Sequence, residues 1–446
     1  MMASSPDFIA SGGTALRGEI RVAGDKSISH RSVMLGSIAE GVTEIEGFLE
    51  GEDSLATLAA FRAMGVRIDR PSPGRVTVHG VGLHGLQAPA GDLDLGNSGT
   101  SMRLLAGLLS GQSFATRLVG DASLTRRPMA RVAEPLRLMG AQIDTAPGGR
   151  PPLEIHGAAA LKGIEYRMPV ASAQVKSALL LAGLYAQGTT RVIEPAPTRD
   201  HTERMLAGFG YPLRREGALA ELQGGGRLQG AALQVPADIS SAAFFLVAAS
   251  IAPGSDLLLR GVGINPTRTG VIGILRAMGA SIEILAERES GGEPVADLRV
   301  RGAALRGIVI PEELVPLAID EFPVLFVAAA CADGETLLRS AEELRVKESD
   351  RIEVMARGLR ALGVELETYP DGIRIRGGAS LAPARIDSGG DHRIAMAFCV
   401  ASLRATGPIV IGDCANVATS FPGFRALAGS VGLQVDEQPA ADSEPL

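Results

Sequence analysis

Hydrophobic and polar positions fall into a block pattern that recurs six times along the chain. Each block opens on a small or polar cluster and runs into an Ala/Leu-rich apolar stretch of helical length. A Gly-bearing turn and a β-rich segment follow, as in Gly188-Thr189-Thr190-Arg191-Val192-Ile193, and then a second helical stretch. The block closes on a bulky apolar residue, Gly and a strand. These closures are Met64-Gly65-Val66, Met139-Gly140-Ala141, Phe209-Gly210-Tyr211, Met278-Gly279-Ala280, Leu362-Gly363-Val364 and Val431-Gly432-Leu433. Gly at that point suits the left-handed position just past a helix C-terminus. The period of roughly 70 to 85 residues is longer than a solenoid unit, so each block reads as a small layered β-α-β-α-β-β module.

The openings are Asp25-Lys26-Ser27, Asn97-Ser98-Gly99-Thr100, Ser172-Ala173-Gln174, Ile239-Ser240-Ser241, Asp320-Glu321 and Gly390-Asp391-His392-Arg393. A boundary near Val235-Pro236-Ala237-Asp238 leaves three blocks on each side. Thr145 to Pro152 reads as a loop within a block, Glu287 to Pro294 as a solvated hairpin or insertion, and Gln223-Gly224-Gly225-Gly226 as a turn. The acidic, Pro/Ala-rich stretch 436–446 is expected to be disordered.

With 446 residues, two or more domains are expected. Aromatics make up 4% and Trp is absent, so the core must be aliphatic and rich in Ala and Gly. The net charge of −7 excludes a general nucleic-acid footprint, and an anion site must come from local Lys and Arg. Cys331, Cys399 and Cys414 are odd in number with apolar or small neighbours, which fits reduced thiols in a cytoplasmic protein. No metal-ligand spacing is visible. The N-terminus lacks the regions of a signal peptide. The longest apolar run, Ala242 to Ala252, is too short for a bilayer and stops at Pro253.

Candidate chemistry collects at the block openings. In Gly24-Asp25-Lys26-Ser27-Ile28-Ser29-His30-Arg31, Asp25 or Ser27 is placed to cap an apolar helix. Free helix-start amides, the helix dipole and the Lys26/Arg31 pair then address one place, an arrangement suited to a phosphate. Leu95-Gly96-Asn97-Ser98-Gly99-Thr100-Ser101-Met102-Arg103 adds glycines that let backbone approach a ligand. Arg127 sits before Pro128. Further on come Ser172-Ala173-Gln174-Val175-Lys176-Ser177 and Thr198-Arg199-Asp200-His201-Thr202-Glu203. Asp320 and Glu321 abut an otherwise apolar helix, either as caps or as a poised base. Lys347 and Arg351 are four apart, which would put two like charges on one helix face. Taken singly, each feature has an ordinary reading as a capped helix, a Gly turn or a solvated face. No phosphate-binding Gly-x-x-x-x-Gly-Lys loop or Ser/His/Asp hydrolase elbow is present. His79, His84 and His156 lie in strand-like stretches and read as structural, while His30, His201 and His392 lie near the candidate openings.

Several of these motifs resemble the 5-enolpyruvylshikimate-3-phosphate synthase family. They are Gly24 to Arg31, Gly96-Asn97-Ser98-Gly99-Thr100, Ser172-Ala173-Gln174, Lys347-Glu348-Ser349-Asp350-Arg351 and Asp391-His392-Arg393. They run in order over essentially the whole chain. Ser172 to Lys176, Arg199 to Glu203 and Asn265-Pro266-Thr267-Arg268 look like the family's class II subgroup. The resemblance implies an α/β protein, a two-domain inverse α/β barrel of six β-α-β-α-β-β repeats. Residues 1–22 plus 238–446 would form one domain and 23–237 the other, with chain crossings near Arg21 and Asp238. It also implies transfer of the enolpyruvyl group of phosphoenolpyruvate to the 5-hydroxyl of shikimate 3-phosphate, with release of phosphate.

By that resemblance Lys26, Ser27, Arg31, Ser172, Gln174, Arg199, Asp320 and Lys347 hold shikimate 3-phosphate. Lys26, Gly99, Arg127, Gln174, Arg351 and Arg393 hold phosphoenolpyruvate. Asp320 accepts the hydroxyl proton and Glu348 helps protonate the methylene carbon, with Lys26 the third catalytic residue. Such an addition needs a base and an acid, and cations to offset two polyanions. Domain closure would expel water and strengthen those contacts. No metal or cofactor is implied. A cytoplasmic monomer is expected, without nucleic-acid or membrane partners.

Two positions need comment. Where many relatives carry Lys before a late Thr-Phe-Pro, this chain reads Ala418-Thr419-Ser420-Phe421-Pro422, as class II members do, so one phosphoenolpyruvate contact lacks its usual residue. Some glyphosate-tolerant class II members carry Ala where this chain has Gly99, so the expectation here is inhibition by glyphosate. The related transferase acting on UDP-N-acetylglucosamine typically uses a mobile-loop Cys in the second block, but no Cys precedes Cys331. A non-catalytic anion-binding repeat protein would leave Asp320 and Glu348, set among cations, without a purpose.

Overall fold

A computed structural model describes residues 5–13, 15–157, 160–378 and 380–439. The chain separates into two compact units, central and terminal. The central unit is Gly24–Pro236 together with Glu289–Glu293. The terminal unit comprises the described residues up to Ala23, Ala237–Arg288 and the chain from Pro294 onward.

The central unit holds helices α1 (Lys26–Ile38), α2 (Glu52–Ala63), α3 (Gly99–Ser110), α4 (Ala130–Leu138), α5 (Ala173–Gly183) and α6 (His201–Gly208). The terminal unit holds α7 (Ile239–Ile251), α8 (Gly270–Ala277), α9 (Phe322–Cys331), α10 (Arg351–Ala361), α11 (His392–Ala401), α12 (Val417–Ser420) and α13 (Phe424–Ser430). Among the described residues the strands form six sheets, three in each unit.

All six sheets follow one plan. In the second repeat the lead strand Leu93–Asp94 runs parallel to Thr116–Val119 across α3. Thr116–Val119 then pairs antiparallel with Arg150–His156, whose hairpin partner is Gln142–Ala146. Distant segments complete several sheets. Ala232–Gln234 supplies the lead strand beside Glu40–Glu46 in the first repeat, and Arg17–Ile20 lies parallel to Asp256–Gly263 in the fourth. In the sixth, Asp7–Ser11 fills the place between Ile409–Gly412 and Gln434–Gln438. The fifth sheet has three strands among the described residues, with the isolated parallel bridges Arg306 to Asp333 and Val309 to Leu337 where the others have a lead strand.

The first helix of each repeat is interior, and the second is buried along only part of its surface. In α7 all thirteen residues are buried, and α1, α3, α5, α9 and α11 are buried along nearly their whole length. In α7 and α9 apolar residues lie on nearly every side, so burial all round is the stable placement for these two helices. The scarce aromatics are concentrated in the terminal core, where Phe244, Phe245, Phe421 and Phe424 stack with centroids 5.5 to 6.3 Å apart. In the central unit small residues set the spacing instead. A Cβ on Gly107 of α3 would come within 2.0 Å of the Ala178 carbonyl oxygen of α5, so these two helices touch backbone to backbone. The six closing glycines all have positive φ, between 77° and 108°, and so end their helices in the left-handed conformation.

Two local expectations are corrected and one holds. Asp436–Gln438 is ordered, because it pairs with Asp7–Ser11; residues 440–446 lie outside the described residues. Thr145 to Pro152 is a tight hairpin with strand on both sides. The Glu287 to Pro294 segment is the expected solvated hairpin, with Glu287 to Glu289 and Gly291 exposed; past its turn Glu293 points inward, 2% exposed, with His201 Nδ1 2.7 Å from its Oε1.

Candidate active site

Each unit turns the N-termini of its three interior helices into a cluster of charged and hydroxyl side chains. In the central unit Asp25 caps α1 by accepting the Ile28 N–H at 2.9 Å. Lys26 projects beside this cap, and its Nζ lies 2.5 Å from Asp53 Oδ2 on α2. Ser27 is half-buried, and its carbonyl accepts from Arg31 Nη1 at 2.9 Å. Arg31, 4% exposed, also donates through Nε to Thr202 Oγ1 at 2.7 Å and through Nη2 to Ser177 Oγ at 2.9 Å. Burial pushes its guanidinium down to about 10, and the nearby Arg199 acts in the same direction while Glu203 and Asp25 oppose it. The side chain still carries its charge at neutral pH.

The α3 start lies alongside. Ser98 caps it through the Ser101 N–H at 3.1 Å. Arg127 Nη2 donates to Asn97 Oδ1 at 2.5 Å, and Arg127 is 8% exposed. A Cβ on Gly99 would meet Arg103 Nη1 at 3.0 Å and Arg127 Nη1 at 3.1 Å, so the bare glycine lets both guanidiniums lie against the turn. The α5 start joins through Gln174, whose Oε1 accepts from Arg103 Nη1 at 2.6 Å and whose Nε2 donates to Thr100 Oγ1 at 3.0 Å. Ser172 caps that helix through the Val175 N–H. Beneath the three starts a hydroxyl network joins α1, α2 and α3. His30 Nδ1 lies 2.8 Å from Thr57 Oγ1, Thr57 Oγ1 lies 2.6 Å from Ser101 Oγ, and Ser101 Oγ lies 2.6 Å from Ser98 Oγ.

The terminal unit gathers both candidate proton-transfer groups around one guanidinium. Arg351 is 1% exposed. Its Nη1 donates to Asp320 Oδ1 at 3.2 Å, its Nη2 to Glu348 Oε2 at 2.6 Å and its Nε to Asp391 Oδ2 at 2.8 Å. Burial alone would lower its pKa, but the three carboxylates outweigh that and raise it. Burial would likewise push the Asp391 carboxyl up, and Arg351 holds it below its usual range. Lys347 Nζ stands 3.5 Å from Asp320 Oδ1. Arg393 Nη1 donates to the Asp320 carbonyl at 3.1 Å. The arrangement offers two partly exposed carboxylates, oriented by fixed cations, at the start of a buried helix.

Residues 10–427 match the family model of EPSP synthase (3-phosphoshikimate 1-carboxyvinyltransferase). The chain belongs to the EPSP synthase family. It is 68% identical to the 3-phosphoshikimate 1-carboxyvinyltransferase of Methylococcus capsulatus over 96% of this chain and 98% of that one. It is 69% identical to the enzyme of the same name from Alkalilimnicola ehrlichii, over 96% of each chain. A solved structure of EPSP synthase from Acinetobacter baumannii, 57% identical, superposes with a TM-score of 0.88 over 97% of this chain and 100% of that one.

The residues singled out from sequence fall into two groups. Lys26, Ser27, Arg31, Gly99, Arg127, Ser172, Gln174 and Arg199 lie at or beside the helix starts of the central unit. Asp320, Lys347, Glu348, Arg351 and Arg393 lie in the terminal cluster. One local reading is overturned. Lys347 and Arg351 do not share a helix face, because Lys347 ends the 3-10 turn Glu342–Val346 and α10 begins only at Arg351, capped by Asp350. Asp320 sits between the two cations. Thr419, in the late motif where many relatives carry lysine, is 5% exposed and its hydroxyl donates to the Asn416 carbonyl at 2.7 Å. His84 lies in a turn, edge-on to Tyr185 at 5.6 Å.

Sequence reasoning missed the residues that hold the candidates in place. Asp53 is such a partner, for Lys26, while Thr202 and Arg103, which hold Arg31 and Gln174, stood inside the motifs without a role assigned to them. Lys176 also lacked a role, and it is buried with its Nζ 3.0 Å from Glu194 and 2.7 Å from Glu203. The signal available was an ionisable residue at an otherwise apolar helical position, as for Lys176 between Val175 and Ala178.

Proposed function

We infer that this protein transfers the enolpyruvyl group of phosphoenolpyruvate to the 5-hydroxyl of shikimate 3-phosphate, giving 5-enolpyruvylshikimate 3-phosphate and phosphate. The observation that carries the reading is the grip of Arg351 on Asp320 and Glu348 together. It supports a base and an acid oriented by one rigid, permanently charged group.

In this reading Asp320 accepts the 5-hydroxyl proton as that oxygen bonds to C2 of the enol. Glu348 delivers a proton to C3, turning the methylene into a methyl group. The tetrahedral adduct then breaks its C2–O bond to phosphate, and loss of a methyl proton restores the double bond. Lys26, Arg127, Gln174, Arg351 and Arg393, with the close backbone approach at Gly99, bind phosphoenolpyruvate. Lys26, Ser27, Arg31, Ser172, Gln174, Arg199, Asp320 and Lys347 bind shikimate 3-phosphate. Lys26 serves both anions and stabilises the phosphate as it leaves.

The finer expectations are part of the same reading. They are a cytoplasmic monomer and inhibition by glyphosate in competition with phosphoenolpyruvate. Activity undiminished by glyphosate well above the phosphoenolpyruvate concentration overturns the last. The reaction is tested by phosphate release with both substrates, with each alone, and with Asp320→Ala. Release should require both substrates and fall by about a hundredfold or more in the variant. Release from phosphoenolpyruvate without shikimate 3-phosphate, or an unaffected variant, overturns the proposal.

A further inference from the structure

Next to the candidate base lies a second carboxylate that the reaction does not use. Glu321 is 2% exposed and ends the turn before α9. The Ser240 hydroxyl, at the start of α7, donates to its Oε1. Arg268, 3% exposed, donates through Nη2 to that same hydroxyl at 2.7 Å and lies 3.7 Å from Glu321 Oε1. Arg268 also reaches Asp238, the α7 cap, at 3.4 Å. On the other side Arg393 Nη1, from α11, lies 4.0 Å from Glu321 Oε1 and 3.1 Å from the Asp320 carbonyl. Glu321 thus stands where the starts of α7, α9 and α11 meet, between two guanidiniums that would otherwise repel.

We propose that Glu321 is a positioning residue that aims Arg393 at phosphoenolpyruvate. The inference rests on the reading of Arg393 given above. A buried carboxylate in this place does three things. It balances Arg268, so that a second cation is tolerated nearby. It draws the Arg393 guanidinium toward the α9 start, where the Asp320 carbonyl fixes its direction. Through the rigid turn it ties that direction to the backbone of Asp320, so base and anion anchor keep one geometry. A helix cap alone would need none of these cations, and the Glu321 side chain makes no capping bond to α9.

The test is steady-state kinetics on Glu321→Gln, which keeps the shape and the acceptor for Ser240 but removes the charge. KM for phosphoenolpyruvate should rise by about fivefold, the scale of one 4.0 Å ion pair that makes no hydrogen bond, while KM for shikimate 3-phosphate stays within about twofold. Glu321→Asp should recover part of the effect. Unchanged kinetics in Glu321→Gln overturn the proposal. So does a parallel rise in both KM values together with a lowered melting temperature, which marks a structural role only. Should Glu321→Gln fail to fold, Ser240→Ala loosens the carboxylate without removing it and must raise KM for phosphoenolpyruvate selectively. Arg393→Ala separates the two levels. If it leaves KM for phosphoenolpyruvate unchanged, the reading of Arg393 is wrong; if it raises KM and Glu321→Gln does not, only the role of Glu321 is wrong.

Discussion

Arg351 Nη1 lies 3.2 Å from Asp320 Oδ1, and the same oxygen lies 3.5 Å from Lys347 Nζ. Two cations from the segment before and at the start of α10 thus converge on one carboxylate oxygen at the start of α9. Arg351 at once engages Glu348 and Asp391, a task that needs three separated N–H directions.

Lysine offers a single ammonium and cannot reproduce that fork. Arg351→Lys should therefore lower kcat by about a hundredfold or more. It also leaves Asp391, which is 0% exposed, short of its main partner, a loss on the order of 3 kcal/mol in denaturant unfolding. Near-normal turnover would show that Arg351 does not orient the proton-transfer groups.

Gly99 gives a second prediction. The added methyl of Gly99→Ala would press on Arg127 Nη1 at 3.1 Å and Arg103 Nη1 at 3.0 Å, both ends of flexible side chains rather than backbone. The guanidiniums shift and the fold stays intact. KM for phosphoenolpyruvate should rise by about tenfold, the scale of one weakened charged contact, with unfolding free energy changed by less than about 1 kcal/mol. Equal rises in KM for both substrates would contradict this local account.

His30 makes stability pH-dependent. Burial first, then Lys26 and Arg31, hold its pKa well below the ordinary 6.5, with Asp25 opposing. The unfolded chain therefore binds this proton more readily than the folded one. The contribution is complete above pH 6.5 and is lost as pH falls from there toward the lowered folded value, by at most about 1.4 kcal/mol per pH unit. His30→Asn should flatten that part of the profile, measured by urea unfolding between pH 7 and pH 5. An identical slope in the variant would exclude His30 as its source.

The contact of α3 with α5 predicts a large structural effect. A methyl at Gly107 has 2.0 Å to the Ala178 carbonyl oxygen, and backbone must move to admit it. Gly107→Ala should destabilise by about 3 kcal/mol and weaken binding of both substrates, because the α3 and α5 starts carry Gly99 and Gln174. A fully stable variant would mean that the helices can separate freely.

Much of the fold was legible in the sequence, because it rests on local rules repeated six times. The closing glycines, the capping residues Asp25, Ser98, Ser172 and Asp391, and the apolar interior helices are each fixed by neighbours within a few positions. The sheets completed by Asp7–Ser11, Arg17–Ile20 and Ala232–Gln234 were not legible, since a strand of three to five residues carries no mark of a partner hundreds of positions away.

The sequence by itself determined where cations and hydroxyls enter each repeat, because a helix start is written in consecutive residues. Only the tertiary structure decided what holds them. Asp53 for Lys26, Thr202 and Ser177 for Arg31, Asp391 for Arg351 and Glu321 for Arg393 all come from other elements. Such pairings depend on how buried helices pack side by side, and burial makes a charged side chain find a partner wherever packing brings one within reach.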